Sequence, residues 1–320
     1  MGVPERQKIL VAVDGSAQAM DAVKYAASLL DPLRFEIVLF HVLTRVPESF
    51  IDLEKMPAYH YRLVNVDAWE NQQEKTIQEF MVTAREVLVG AGFPDECVTA
   101  RIAERTVGIA RDIAAEARNG YMAAIVGRKG MSDFKDFMLG SIAHKILELA
   151  PIPVWIVGGS GGARKVLVCL DNSEGAMLAV KHAGAVLPAG GPDVVLFHVV
   201  RGAGGLRKLI HGVFTSEKDQ QAIQELEKEL KAAASLLEPS FEKATAELVA
   251  AGIAPERISR KIVQGTGNSA NVIIEEAEKL GFDTIVVGRR GISRVEEFLM
   301  GRVSNKVIQL AKDRTVWIVS

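Results

Sequence analysis

The positions in this chain best suited to chemistry are glycines at fixed spacing. Gly127-Arg128-Lys129-Gly130 is followed, after nine residues, by Gly140-Ser141, and Gly288-Arg289-Arg290-Gly291 is followed, after nine residues, by Gly301-Arg302. Each group comes after an apolar run, Ile125-Val126 or Val286-Val287, and before a helical pattern. That placement suits a phosphate. Backbone N–H groups can approach it with no Cβ in the way, and a helix N-terminus favours the anion. Arg128 and Lys129 add positive charge, and Ser141 can cap the following helix while offering its hydroxyl to a phosphate. The second copy carries Arg302 instead. Its guanidinium can reach a phosphate as a forked donor, or fill the phosphate position and exclude nucleotide.

Two carboxylates and two imidazoles stand near these glycines in the chain's logic. Asp14 and Asp171 close the first strand of each half, at the mouth of the expected crevice. Each can accept hydrogen bonds from an amino group or ribose hydroxyls, or serve the following helix, or do both with its two oxygens. His41 and His198 end the second strands among apolar neighbours, where a packed or backbone-bonded histidine is expected. No nucleophile–base pair, HExxH or Cys/His cluster is evident. Gly265-Thr266-Gly267-Asn268-Ser269-Ala270 matches the dinucleotide pattern in form, but it follows the third strand of its half and no acidic residue ends the next strand. A tight turn is expected there.

These residues are positioned by a duplicated α/β unit. Lys8 to Ser16 matches Lys165 to Ser173, Val38 to Val42 matches Val195 to Val199, and Pro153 to Val157 matches Thr315 to Val319. Short, β-branched strands near 8–13, 35–42, 97–103, 122–126 and 153–157 alternate with helical patterns near 16–30, 65–90, 107–119 and 141–149. The second half repeats the strands near 165–170, 194–199, 258–263, 284–287 and 315–319. Such alternation predicts open parallel sheets with helices on both faces and ligands at the strand carboxyl ends. The expected domains are 1–157 and 165–320, with Gly158 to Arg164 as a flexible glycine-rich linker. Loops 43–61 and 201–216 would project from the ligand-bearing edge. Trp69 is expected to pack on its own helix.

Composition narrows the function classes. The chain has 320 residues, 48% apolar and 24% charged, with a net charge of −2, so no global field draws it to nucleic acid or anionic membrane. Its two cysteines, Cys97 and Cys169, read as core thiols in a reducing compartment. The first residues lead into a strand without a signal-like apolar stretch, and no apolar run is long enough to span a bilayer. A cytoplasmic location is therefore expected.

The G-x-x-G, nine residues, G-[S/T] pattern, with an Asp closing the first strand, resembles the universal stress protein family, and the likeness covers both halves. The resemblance implies two tandem five-stranded parallel sheets in the order 3-2-1-4-5, an adenine nucleotide alpha hydrolase-like arrangement. It implies ATP, with or without Mg²⁺, bound between Asp14, Val42, Gly127, Arg128, Gly130, Gly140, Ser141 and Ile142. Asp171, Val199, Gly288, Gly291, Gly301 and Arg302 form the altered second copy, and the first site is expected to be the stronger. A homodimer and a further protein partner are also implied. The leading functional expectation is ATP as a sensed ligand in a stress response. A slow ATPase and a nucleotide-free interaction module are the alternatives.

Overall fold

The computed structural model describes residues 6–45, 60–130, 139–159, 162–201, 217–265, 268–291 and 300–320, with backbone only for 60–68, 201, 217–227, 229–231 and 233–234. Most of both expected edge loops, and the middle of each glycine segment, lie outside the described residues. The chain divides into two compact units, Met1–Val157 and Gly158–Ser320.

In the first unit the elements run β1 (Gln7–Ala12), α1 (Ala17–Leu29), β2 (Phe35–Leu43), α2 (His60–Gly90), β3 (Val98–Glu104), α3 (Ile109–Glu116), β4 (Tyr121–Gly127), α4 (Ser141–Leu149) and β5 (Val154–Val157). All pairings within this unit are parallel, and the strand order is β3-β2-β1-β4-β5. The chain winds outward from β1 through β2 to β3, then crosses back to β4 and β5. Because parallel crossovers are right-handed, that reversal puts α1 and α2 on one face and α3 and α4 on the other. The helices pack in those same pairs. β1 and β4 therefore part at their carboxyl ends, which opens a crevice there.

The second unit repeats the plan with β6 (Lys165–Cys169), α5 (Glu174–Val186), β7 (Asp193–Arg201), α6 (Glu217–Ala250), β8 (Ile258–Gly265), α7 (Ser269–Leu280), β9 (Thr284–Gly288), α8 (Arg302–Leu310) and β10 (Thr315–Val319). Its order is β8-β7-β6-β9-β10, again parallel. The sequence reading of class, order and strand positions agrees with this architecture.

The apolar runs make the cores. Ile9, Leu10, Val11, Ile37, Leu39 and Ala123 to Ile125 are fully buried in the first unit. β3 differs, with an exposed middle, because it is an edge strand covered on one side only. Trp155 and Trp317 are completely buried in β5 and β10. Tyr25 of α1 meets Trp155 edge-on at 6.3 Å, and His182 of α5 meets Trp317 in the same way at 5.8 Å. The duplication thus preserves a ring-on-ring contact while changing one ring. α3 is tied to the sheet by Glu116, whose carboxylate accepts from Arg101 at 2.7 Å, Tyr121 at 2.6 Å and Asn119 at 3.1 Å. The second unit keeps one such tie, Lys261 to Glu276 at 2.5 Å.

Candidate functional site

Each crevice is built by a few backbone contacts that occur twice. Ser16 caps α1, its hydroxyl accepting from the Ala19 N–H at 3.1 Å, and Ser173 caps α5 in the same way. Asp14 reaches back one step earlier: its Oδ1 accepts from the Ser16 N–H at 3.0 Å. Asp171 does the same for Ser173 at 2.9 Å, and it also takes a short bond from the Ser173 hydroxyl. The other oxygen of each carboxylate lies against the glycine segment. A Cβ on Gly130 would stand 2.5 Å from Asp14 Oδ2, and one on Gly291 would stand 3.0 Å from Asp171 Oδ2.

The glycine segments are closed by the backbone as well. Gly140 donates to the Arg128 carbonyl at 2.9 Å, and Gly301 donates to the Arg289 carbonyl at 2.8 Å. Whatever path residues 131–138 follow, the two ends of the segment are held together. Gly127 lies so near the start of α1 that a Cβ there would stand 2.9 Å from the Gln18 carbonyl oxygen, and Gly288 is similarly crowded by Gly175. These glycines are therefore required by packing whether or not a ligand is present.

The starts of α4 and α8 correct one expectation. Ser141 does not cap its helix: Gly140 is the N-cap, with φ −57° and ψ 144°, and the helix begins without a side-chain cap. The reason is the bond from Gly140 to Arg128, which fixes Gly140 in the extended conformation of a cap and makes Ser141 the first helical residue. The first intrahelical bond runs from His144 to Gly140, so the N–H groups of Ser141, Ile142 and Ala143 precede the ladder. α8 starts in the same way on Gly301, ahead of Arg302, Val303 and Ser304. Neither helix has an acidic residue in its first turn, so both termini keep their partial positive charge.

The histidines are structural, as their neighbours suggest. His41 Nδ1 lies 2.8 Å from the Val13 carbonyl and His198 Nδ1 lies 2.6 Å from the Leu170 carbonyl, so Nδ1 is the protonated nitrogen in each. Burial lowers the His41 pKa, against the opposing pull of the Val13 carbonyl and of Asp14. A neutral imidazole thus pins the end of β2 to the end of β1.

These contacts enclose a cavity of about 370 Å³ in the first unit, lined by Asp14, Val42, Gly127, Arg128, Gly130, Gly140, Ser141 and Ile142. Lys129 joins them, and Arg128 lies almost wholly inside the wall at 7% exposure. The second unit has a larger cavity, about 620 Å³, lined by Asp171, Val199, Gly288, Gly291, Gly301 and Arg302 together with Arg290. The residues that the family resemblance assigns to nucleotide all fall on one of these two walls, whereas Arg289 and Cys97 do not. Sequence reasoning missed the contribution of the helices. α2 supplies Trp69, Gln73, Thr76 and Ile77 to the first cavity, and α3 supplies Ile109 and Ile113. Only a matched pair of helix registers could have signalled this.

Other expectations resolve locally. Cys97 is buried, but Cys169 lines the second cavity, where burial and the nearby Asp171 push its thiol far above the ordinary range. At the dinucleotide-like stretch, Asn268 caps α7 through the Ala270 N–H at 3.0 Å. Gly265 is a close-packing position, since a Cβ there would meet Val199 at 2.7 Å. Thr266 and Gly267 lie outside the described residues. Among the described residues no cluster of three or more His, Cys, Asp or Glu could hold a metal, and no helix is long and apolar enough to cross a membrane.

Comparison with known proteins decides the family. The sequence profile of the universal stress protein family matches residues 5–158 and again 162–320. The chain belongs to the universal stress protein family. It is a tandem member: a universal stress protein of Mycolicibacterium smegmatis is 25% identical over 308 residues, covering 95% of this chain and 94% of that protein. Universal stress protein YxiE of Bacillus subtilis is 29% identical over 163 residues, 47% of this chain and 97% of its own length. Among solved structures, a universal stress protein from Archaeoglobus fulgidus covers 98% of both chains with a TM-score of 0.55 at 19% identity, a likeness of fold.

Proposed function

We propose that this tandem universal stress protein binds ATP in the first crevice, as a sensed ligand of a cytoplasmic stress response. The observation that carries the reading is the convergence, on one cavity wall, of Asp14, the closed glycine segment and the uncapped start of α4. The volume falls in the range of small-molecule sites. Val42, Leu43 and Ile109 supply an apolar end for a base, and Asp14 an acceptor for an amino group or ribose hydroxyls. At the other end, Lys129, the Ser141 hydroxyl and three N-terminal N–H groups suit a chain of phosphates. A Mg²⁺ ion would be held chiefly by those phosphates and water, since Asp14 is the one carboxylate on the described wall.

The reading is of a binding site and not a hydrolytic one. Asp14 is engaged by the Ser16 N–H, and His41 by a carbonyl. In the second crevice Arg302 and Arg290 would take the phosphates by charge, and that crevice is the weaker site.

The test is to release small molecules from the purified full-length chain, identify them by mass spectrometry, and titrate the emptied protein with ATP by calorimetry. Nucleotide in the extract, or saturable binding lost in Gly140→Trp, is expected. No nucleotide and no binding of added ATP would overturn the reading. Following ADP in the same samples tests hydrolysis, and light scattering with and without ATP tests self-association of the tandem chain.

A further inference from the structure

The tryptophan at position 69 has no role in the phosphate machinery, and its surroundings are unusual. Its side chain is 50% exposed, yet it lines the first cavity. An indole is large and amphipathic, so one that stands half in water on a cavity wall can meet a ligand with its ring face. The other two tryptophans, Trp155 and Trp317, are completely buried.

Helix geometry explains how Trp69 comes to the cavity. Ile77, Met81, Ala84 and Leu88 are buried and fix the inward face of α2. Trp69 precedes Ile77 by eight residues, about 2.2 turns, so it lies roughly 80° round from Ile77 at the edge of that face and about 12 Å further along the axis. Gln73 and Thr76 lie between them on the same wall. The helix thus carries an indole past the end of the core and onto the wall of the cavity that Val42, Leu43 and Ile109 also line.

The second copy carries a different residue in this register. Leu237, Phe241, Ala244 and Leu248 repeat the buried register of α2 and are likewise buried. In that register position 69 corresponds to Glu229. Among the described residues, none from α6 lines the second cavity.

We propose that Trp69 is a specificity-determining residue of the first site, stacking its indole on the nucleobase so that this crevice selects an aromatic base as well as a phosphate chain. The inference rests on the ATP reading above and deepens it. Stacking offers a π-face to any base, so Trp69 contributes affinity and aromatic selectivity, and the choice among bases is left to polar groups such as Asp14.

The fluorescence of the intact chain tests it, because Trp69 is the one exposed indole. ATP should change the red-shifted part of the emission and shield it from acrylamide, while tripolyphosphate should bind without either effect. Trp69→Ala should weaken ATP about ten-fold and leave tripolyphosphate unchanged, and Trp69→Phe should restore most of the affinity. If ATP binds Trp69→Ala as tightly as wild type by calorimetry, stacking is wrong while the ATP reading stands. If wild type binds no ATP, both fall. Equal losses for ATP and tripolyphosphate would show that Trp69 merely supports the wall, and would also overturn the proposal.

Discussion

Asp14 and Gly130 are held so close that a methyl group on residue 130 would stand 2.5 Å from Asp14 Oδ2. The obstacle is the end of a side chain, which can rotate away. Gly130→Ala should therefore fold normally but displace the carboxylate from the cavity. ATP affinity at the first site should fall by about 1.5 kcal/mol or more, the scale of a hydrogen bond to a charged group. Calorimetry beside a thermal melt checks both halves of the statement.

Gly127 gives the opposite outcome. A Cβ there would meet the Gln18 carbonyl at 2.9 Å, and one on Gly288 would meet Gly175 backbone at 2.5 Å. Backbone cannot swing aside, so α1 or α5 must move. Gly127→Ala and Gly288→Ala should each cost about 1–3 kcal/mol of stability, read from urea denaturation, with Gly288→Ala the more damaging. Equal stability of Gly127→Ala and Gly130→Ala would contradict this picture of the crevice.

Ser141 and Arg302 occupy the same place at the start of α4 and α8. Ser141→Ala should weaken ATP at the first site by about 1 kcal/mol, one neutral hydrogen bond, without lowering stability, because Ser141 does not cap its helix. Arg302→Ser should remove the steeper salt dependence expected of the second crevice. Titrations at two ionic strengths measure it.

Burial against Trp317 lowers the pKa of His182 to about 4, from its ordinary value of 6.5. The unfolded chain therefore binds a proton that the folded chain refuses. The stability this residue contributes is fully present above pH 6.5, and is lost as pH falls from 6.5 toward 4, by on the order of 3 kcal/mol. Tyr25 already makes the equivalent contact in the first unit, so His182→Tyr should flatten the stability profile over that window while keeping the fold. Denaturation midpoints at pH 7 and pH 4.5 decide the matter.

Glu116 is buried at 7% exposure with three donors on its two oxygens. Glu116→Leu should strand the buried Tyr121 hydroxyl, while the half-exposed Arg101 turns to water, and cost about 1–3 kcal/mol. Glu276→Leu should cost less, because Glu276 is itself more exposed than Glu116 and its partner is the single donor Lys261. Denaturant melts of the two variants rank them.

Much of this protein is legible one residue at a time. The strands announce themselves because both faces of a parallel sheet are buried, so runs such as Ile9 to Val13 and Ile285 to Val287 are continuously apolar. The duplication is legible because Asp14 and Asp171, His41 and His198, and the two glycine groups recur at matched places. The glycines also signal the site, although the packing around Gly127 and Gly140 shows that much of their spacing serves close backbone approach. What Ser141 does was not legible. A serine before an apolar helical run looks like a cap, and only the bond from Gly140 to the Arg128 carbonyl, across the undescribed middle of the segment, moves the helix start by one residue.

Sequence by itself determined the class of fold, its duplication and the residues at the strand ends, because these follow from local periodicity and from chain chemistry repeated in order. Tertiary structure decided which helix faces close each crevice. Trp69 reaches the first cavity through a helical register anchored eight residues away at Ile77, and Asp14 is aimed by its distance from Gly130. Both depend on how separately specified elements pack, which no single stretch of chain encodes.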